Sequence, residues 1–305
     1  MLYYMDILIM IFIIRFIIIL IVFFSNLVSA NNILINKPLS TLDTRYQYTY
    51  DLLSLIISVT PEFGNSGVEQ SLSNMTRSRT LLELISGKYI QVIAEAPQPE
   101  WDEKLIVVPI PIRKGLQGFR LFMINEKSSK LINNVSKLED LLTLSTGSGK
   151  NWSTKRVLEK AGFNVVTGSN YNGLFGMLSK NRFSTFARGI NEVYEELDTQ
   201  KLTHPNLMID DNVLLYIPLA TYFYISPKKP LIAERIKVGL LRLIENGEFN
   251  KFFYKNYCEF IMKAQISKRK IFSIPNEFIS KERMLSLVNQ DFLVNTDSNF
   301  NQLCR

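Results

Sequence analysis

Side chains that commonly bind metals or act as catalytic nucleophile and base are scarce in this sequence. One histidine, His204, and two cysteines, Cys258 and Cys304, occur among the 305 residues. A conventional zinc site takes about three or four such ligands, so we expect no metal site of that kind. A Ser-His-Asp triad would depend on His204, which precedes Pro205 in a polar stretch. The sequence therefore predicts a protein that is not an enzyme and uses no cofactor.

Dense runs of one charge are also missing. The formal net charge is +7, but apart from Lys268–Lys270 the basic residues are spread along the chain. Charges spread in this way usually form only a solvated surface. We therefore expect no nucleic-acid partner, and the net charge favours anionic partners or a membrane surface only slightly.

Long apolar runs are confined to the N-terminus. Ile7–Phe24 is apolar except for Arg15, and it is followed by the small-residue pattern Val28–Ala30. This arrangement predicts a cleavable signal peptide over residues 1–30 and a periplasmic location for the remainder. The alternative is an uncleaved membrane anchor, because about 18 apolar residues suffice to span a bilayer. Asp6 lies where a signal peptide usually has positive charge, so the uncleaved anchor stays open.

The two cysteines form an even pair. In an oxidising compartment, Cys258 and Cys304 could form a disulfide that ties down the C-terminal tail. Their separation in sequence does not establish their proximity, so a bridge and two free thiols both stay open.

Short β-like runs alternate with longer helical patterns along the chain, which predicts an α/β layered protein. The predicted helices cover residues 46–59, 79–86, 135–142, 154–161, 171–179, 230–246 and 248–260. The predicted strands cover residues 32–35, 89–94, 119–124, 142–146, 164–167, 183–187 and 213–226. The last strand is expected to bend at Pro218, and Ser136 with Glu139 is expected to cap the third helix. Gly147–Ser153 is predicted to be a turn from strand to helix.

Several short segments occur in a characteristic order. They are Ile110–Arg120, Leu138–Leu141, Gly147–Trp152, Leu174–Leu178, Asn181–Val193 and Tyr222–Ser226. In this order they resemble extracellular solute-binding proteins of family 3, and within it the poorly characterised transporter substrate-binding-domain branch. The resemblance covers roughly residues 46–260. No single segment is specific to this family, but the order of the six segments over this length is.

The resemblance implies a two-lobed type II periplasmic-binding-protein fold of the α/β class. Two crossover strands, near residues 118–124 and 218–226, would join the lobes, with a ligand cleft between them. Lobe 1 would comprise residues 31–118 plus 221–305, and lobe 2 would comprise residues 119–220. Ligand binding would favour hinge closure of a protein that we expect to be monomeric.

The resemblance also implies ligand-binding residues. Arg120 stands where amino-acid binders carry an arginine that grips the ligand carboxylate, a role suited to the planar guanidinium fork. Ser148 and Gly149 belong to the strand-to-helix turn whose backbone amides would face the ligand. Trp152 would stack on the ligand or pack under this turn, and Tyr222 would line the cleft from lobe 1.

One departure from the family pattern concerns the ligand ammonium. The aspartate that usually pairs with it is absent, and the corresponding position falls near Arg188 and Gly189. A cation at that point favours a second anionic group on the ligand. Glu192, about one helical turn later, could instead supply the carboxylate.

The implied function is the capture of a small polar or anionic solute, either amino-acid-like or an organic acid. The partner would be an ABC-type permease or a membrane sensor. Two other functions stay open. One is a membrane-tethered sensory or interaction module, which needs an uncleaved N-terminus, and the other is an enzyme on the same fold. We predict no catalytic residue, metal ligand or cofactor.

Overall fold

A computed structural model of the chain describes residues 32–38, 46–73 and 75–281, together with residues 283, 294 and 304. The predicted signal peptide, residues 1–30, lies outside the described residues. Within them, no helix has both the length and the apolar character needed to cross a membrane.

The described part of the chain alternates strands and helices. In chain order they are β1 (Ile33–Ile35), α1 (Gln47–Ser58), β2 (Val68–Gln70), α2 (Arg77–Ser86), β3 (Val92–Glu95), α3 (Pro99–Lys104), β4 (Ile106–Val108), β5 (Phe119–Asn125), α4 (Ser129–Asn133), α5 (Leu138–Leu142), β6 (Ser145–Gly149), α6 (Ser153–Lys160), β7 (Asn164–Gly168), α7 (Tyr171–Ser179), β8 (Thr185–Gly189), α8 (Ile190–Lys201), β9 (Leu207–Tyr216), β10 (Tyr222–Ile225), α9 (Pro230–Glu245), α10 (Glu248–Ala264) and β11 (Lys270–Ser273).

Helix α1 illustrates how local sequence sets these elements. Leu52, Leu53, Ile56 and Ile57 recur at helical spacing and are all buried. Burying such an apolar stripe supplies most of the stability of a helix of this length. The predicted helix over residues 46–59 agrees with α1 to within a residue at each end.

The strands form two sheets with matching topology. The first has the order β2-β1-β3-β10-β4, and the second has the order β11-β9-β5-β8-β6-β7. In the first sheet, β10 runs antiparallel between β3 and β4, and in the second, β5 runs antiparallel between β8 and β9. Each sheet therefore contains one antiparallel strand, β10 in the first and β5 in the second. Each of these strands follows a segment that connects the two sheets. The predicted α/β fold is confirmed, with connections between the sheets before β5 and before β10 as expected.

The predicted strand over residues 213–226 is two strands. Its first part lies in β9 of the second sheet and its last part is β10 of the first sheet, with Pro218 between them. Proline has no N–H for a sheet hydrogen bond, which favours a break rather than a bend at this position.

Gly118 lies where the two connections between the sheets approach each other. Its carbonyl oxygen accepts a hydrogen bond of 2.9 Å from the Ile217 amide. A Cβ at this position would lie 2.5 Å from the Ile217 carbonyl oxygen and 3.3 Å from that of Leu219. Only glycine therefore allows the two backbones to come this close.

We expect Gly118→Ala to lower the free energy of unfolding by about 1–3 kcal/mol, because the methyl group would force two backbone segments apart. Gly173→Ala is a matched control. Gly173 lies in α7, and its added Cβ would have its nearest neighbour at 3.5 Å. The control should be neutral or stabilise by up to about 1 kcal/mol through helix propensity. Urea unfolding measures both variants, and equal effects would contradict the account.

The C-terminal region corrects part of the predicted lobe division. The resemblance places residues 221–305 in lobe 1, but β11 pairs in parallel with β9 in the second sheet. Pairing with β11 covers an edge of β9 that would otherwise expose unpaired backbone groups. Beyond β11, Arg283 returns to the first lobe, with its guanidinium 5.1 Å from the Tyr222 ring centre. The other lobe boundaries stay predictions.

Two further local expectations have clear outcomes. Helix α5 begins at Leu138, so its N-cap residue is Lys137 rather than the predicted Ser136, and the carboxylate that caps it is that of Asp140 rather than Glu139. Asp140 accepts hydrogen bonds from Ser136 N (2.9 Å), Ser136 Oγ (2.8 Å) and Lys137 N (3.2 Å).

Cys258 and Cys304 form a disulfide with a Cα–Cα distance of 5.6 Å, which attaches the C-terminus to α10.

Candidate functional site

A cavity of about 190 Å³ lies between the two lobes, and both lobes line it. Its wall includes residues at or just after the carboxyl ends of β1 (Asn36), β3 (Glu95), β6 (Trp152) and β8 (Arg188). Ligands of α/β proteins commonly bind at this end of the strands. We call this cavity the cleft.

The cleft is rich in charge. Its cationic lining residues are Lys37, Arg77, Arg113, Arg120 and Arg188, and its acidic lining residues are Glu95 and Glu192. Among the described residues, no group of histidine, cysteine, aspartate and glutamate could hold a metal ion.

Arg120 extends from β5 into the cleft wall and is 3% exposed. Its Nε and Nη2 donate to the Ala187 carbonyl oxygen (3.2 and 2.7 Å), and its Nη1 donates to the Gln117 carbonyl oxygen (3.0 Å). A guanidinium carries about five N–H donors, so these bonds leave donors for a further acceptor. Burial lowers the pKa of Arg120 to about 10, and the group stays charged at neutral pH.

Arg188 belongs to a buried ion-pair network. Its Nε and Nη2 donate to Glu196 (2.7 and 2.5 Å), and Nη2 also lies 2.9 Å from Glu192. Tyr171 donates its hydroxyl to Glu196 at 2.7 Å. Burial alone would lower the pKa of the Arg188 guanidinium, but Glu192 and Glu196 outweigh burial and raise it. Arg188 lines the cleft, and its charge is matched by two carboxylates of the protein itself. The second anionic group on the ligand stays a prediction.

Trp152 packs on this network. Its ring lies nearly parallel to Phe186 at 6.0 Å between centres, and Arg188 Cζ lies 4.6 Å from the Trp152 ring centre. Trp152 also lines the cleft, and its stacking on a ligand stays a prediction. A Cβ on Gly149 would lie 2.5 Å from the Trp152 ring, so a glycine is needed for this packing.

Glu192 lies near two arginines of the cleft wall, Arg120 and Arg188. Its Oε1 accepts a 3.1 Å hydrogen bond from Gly189 N at the start of α8, and it also lies 3.7 Å from Arg120 Nη2. Its carboxylate is held by α8, and Glu192 lines the cleft. Glu192 is the residue that the sequence analysis offers in place of the missing aspartate.

Two residues of the cleft wall, Asn36 and Asn191, carry buried carboxamide oxygens. The Oδ1 atoms of Asn36, from lobe 1, and Asn191, from lobe 2, have no hydrogen-bond partner within the described residues. Asn36 is 7% exposed. Both residues were missed by the sequence reasoning, although each follows a strand, β1 or β8, closely enough to have been suspected.

Three predicted site residues do not line the cleft. Ser148 and Gly149 belong to strand β6 rather than to the predicted turn, and both are buried. The chain reaches the cleft only after β6, where Trp152, Ser153 and Thr154 lie at the start of α6. Tyr222 lies in β10 within the apolar core of lobe 1 and is fully buried. It is buried because β10 is flanked on both sides by other strands and covered on both faces.

Arg77 was not anticipated. It lies at the start of α2, pairs with Glu95 at 3.1 Å, and donates across the cleft to the Asn151 carbonyl oxygen at 3.1 Å. Its guanidinium also lies 5.4 Å from the Trp101 ring centre. This contact links the two lobes at the cleft.

Comparison with known proteins identifies the fold. No protein-family profile matches the sequence, and no curated protein matches it. Among solved structures, an ancestral arginine-binding protein has a TM-score of 0.55 and 15% identity, covering 75% of this chain and 98% of that chain. A histidine kinase sensor domain with similarity to periplasmic binding proteins has a TM-score of 0.55 and 15% identity, covering 74% and 95%. A Salmonella typhimurium periplasmic binding protein with high arginine specificity has a TM-score of 0.53 and 12% identity, covering 75% and 100%. The predicted two-lobed periplasmic-binding-protein fold is thereby confirmed.

Proposed function

We propose that this chain, which has the two-lobed periplasmic-binding-protein fold, is a non-enzymatic receptor for a small polar solute. The solute is amino-acid-like or an organic acid and binds in the cleft. Because side chains of both lobes line the cleft, a bound solute makes its full set of contacts only when the lobes are together. Binding therefore shifts the population toward the closed arrangement.

The observation that carries the proposal is the pair of buried carboxamide oxygens. Asn36 and Asn191 line the cleft from opposite lobes, and the Oδ1 atom of each is buried without a partner among the described residues. A buried acceptor left unpaired costs about 1–3 kcal/mol. A solute that donates hydrogen bonds to both oxygens removes this cost and bridges the lobes.

The charged wall supports an amino-acid-like solute. We assign its amine to Glu192 and Asn191, and its carboxylate to Arg120 and the first backbone amides of α6. The remaining N–H groups of Arg120 suit a carboxylate, and a helix N-terminus favours negative charge.

The partner and the location follow from the same proposal. We propose delivery to the periplasm by residues 1–30 and transfer of the solute, by a monomer, to an ABC-type permease. A sensory role is the second candidate, because a histidine kinase sensor domain matches this chain as well as the arginine-binding protein does. Both roles require the same binding step.

A thermal-unfolding screen tests this binding step. The full chain, purified in a non-ionic detergent, is heated with amino acids, dicarboxylates, phosphorylated solutes and polyamines. A solute at about 100 times its Kd adds about 2.7 kcal/mol of stability, which raises Tm by roughly 5 °C or more. The absence of any shift for a folded sample across the whole panel would contradict the proposal.

Arg120→Lys locates the site of any compound that raises Tm. The variant keeps the charge but loses the fork, so we expect it to lose most of the Tm shift for carboxylate solutes. Arg182→Lys, at an exposed position of the same lobe, is the matched control and should keep the full shift. A shift that survives in Arg120→Lys would show that this arginine does not bind the solute.

A further inference from the structure

A second cavity, of about 480 Å³, opens beside the cleft. We call it the outer cavity. It lies between α2 and α3 of lobe 1 and the start of α6 of lobe 2. Arg77 and Trp152 line both cavities, so the cleft and the outer cavity adjoin at these two side chains. The function proposed above uses the cleft alone.

The outer cavity has an excess of positive charge. Its cationic lining residues are Arg77, Lys104, Lys150, Lys155 and Arg156, and its one acidic lining residue is Glu100. Lys104 pairs with Glu100 at 2.9 Å, an exposed pair that contributes little stability. Within the described part of the chain, no carboxylate forms an ion pair with Lys150 or Arg156. The cavity can therefore accept an anion without displacing a buried ion pair.

The start of α6 adds to this positive potential. Its first turn contains Lys155 and Arg156 and no acidic residue, and its N-cap residue, Trp152, makes no side-chain capping bond. Cations at this end of a helix oppose the helix dipole. The start of α8 shows the usual arrangement, because Glu192 lies in its first turn and caps it. An anion in the outer cavity would relieve the unfavourable charges of α6.

Apolar side chains separate these charges from the lobe 1 core. Leu81, Leu82, Ile85 and Trp101 line the outer cavity on the lobe 1 side. They offer a surface for the hydrocarbon part of a bound molecule. In the neighbouring cleft, the unpartnered oxygen of Asn36, which is 7% exposed, calls for a hydrogen-bond donor.

We propose that the outer cavity binds the anionic end of an elongated solute whose hydrogen-bond-donating head lies in the cleft. This inference rests on the proposed function and specifies the ligand class. The ligand has an amine or amide head, a short apolar middle and an acidic tail, as in a dipeptide with an acidic second residue. Lys150 and Arg156 meet the tail, and Asn36 and Asn191 meet the head.

Calorimetric titration with three probes tests the inference. The probes are alanine, alanyl-glutamine and alanyl-glutamate, and the two dipeptides differ only by a carboxamide or carboxylate at the tail. We expect the full chain to bind alanyl-glutamate about tenfold more tightly than alanyl-glutamine, the increment of one charge-assisted hydrogen bond. Equal affinities for the two dipeptides would overturn the inference.

Charge reversal assigns that preference to the outer cavity. Lys150→Glu with Arg156→Glu should reduce the affinity ratio of alanyl-glutamate to alanyl-glutamine to about one or below. Lys180→Glu with Lys237→Glu changes the net charge equally at exposed positions outside the cavity and should keep the tenfold ratio. A ratio that survives in the outer-cavity variant would overturn the inference.

Tryptophan fluorescence distinguishes the two cavities. The chain has two tryptophans, Trp101 and Trp152, and both line the outer cavity, but only Trp152 lines the cleft. In Trp152→Phe, alanyl-glutamate should change the Trp101 emission and alanine should not. If alanine binds but neither dipeptide does, the inference is overturned and the proposed function stands. If none of the three binds, the inference is overturned, and the solute screen decides the proposed function separately.

Discussion

Arg188→Met is expected to lower the free energy of unfolding by about 3–5 kcal/mol, the largest effect of any single substitution considered. Arg188 and Glu196 have side chains that are 2% and 1% exposed, and the guanidinium pairs with both Glu196 and Glu192. Removing the arginine would leave buried carboxylates without their cation and would take away the group on which Trp152 packs. Urea unfolding monitored by circular dichroism measures the loss.

The matched control removes both charges of the central pair. Arg188→Met with Glu196→Leu leaves no uncompensated Glu196 carboxylate, so this double variant should be more stable than Arg188→Met alone. A loss below about 1 kcal/mol for the single variant would show that the network contributes little and that water compensates the carboxylates.

Glu192→Gln is expected to weaken the binding of amine-bearing solutes by roughly 10- to 100-fold, because a charged acceptor is replaced by a neutral one. The glutamine can still accept the hydrogen bond from Gly189 N, so the start of α8 should be preserved. Isothermal titration with the best solute of the thermal screen measures the change.

Glu159→Gln is the control for a general charge effect. Glu159 lies on the surface of the same lobe and pairs only with Lys155 among the described residues. Its replacement should leave affinity within about twofold of the original protein. If Glu192→Gln binds amine-bearing solutes as well as the original protein does, the amine does not contact this carboxylate.

Much of the fold could be predicted from the sequence because its helices and most strands carry strong local patterns. The helix over Tyr171–Ser179 matches α7, and the apolar spacing of α1 determined both its type and its buried face. The errors arose where local pattern carries little information. A continuous apolar run over residues 213–226 does not reveal that its two parts join different sheets. Strand β11 has only four residues and owes its existence to pairing with β9.

The site was predicted only in part, for a related reason. Arg120, Trp152 and Arg188 line the cleft, because the order of motifs fixes which strand ends meet. The boundary of β6 lies about three residues later than predicted, which moved Ser148 and Gly149 from a turn into a buried strand. The pairing of Arg188 with Glu196 depends on how β8 packs against α8. Sequence spacing could not distinguish that pairing from a cation facing a ligand.

The most direct test of the central claim is the distance between the lobes with and without solute. Spin labels at Glu103→Cys in α3 and Glu159→Cys in α6 report this distance, and the native cysteines, joined in a disulfide, stay unlabelled. Pulsed electron resonance should give a broad distribution without solute and a shorter, narrower one with the best solute of the screen. A control pair within lobe 2, Glu159→Cys with Lys180→Cys, should not change. An unchanged interlobe distribution under conditions where calorimetry shows saturation would contradict capture of the solute by lobe closure.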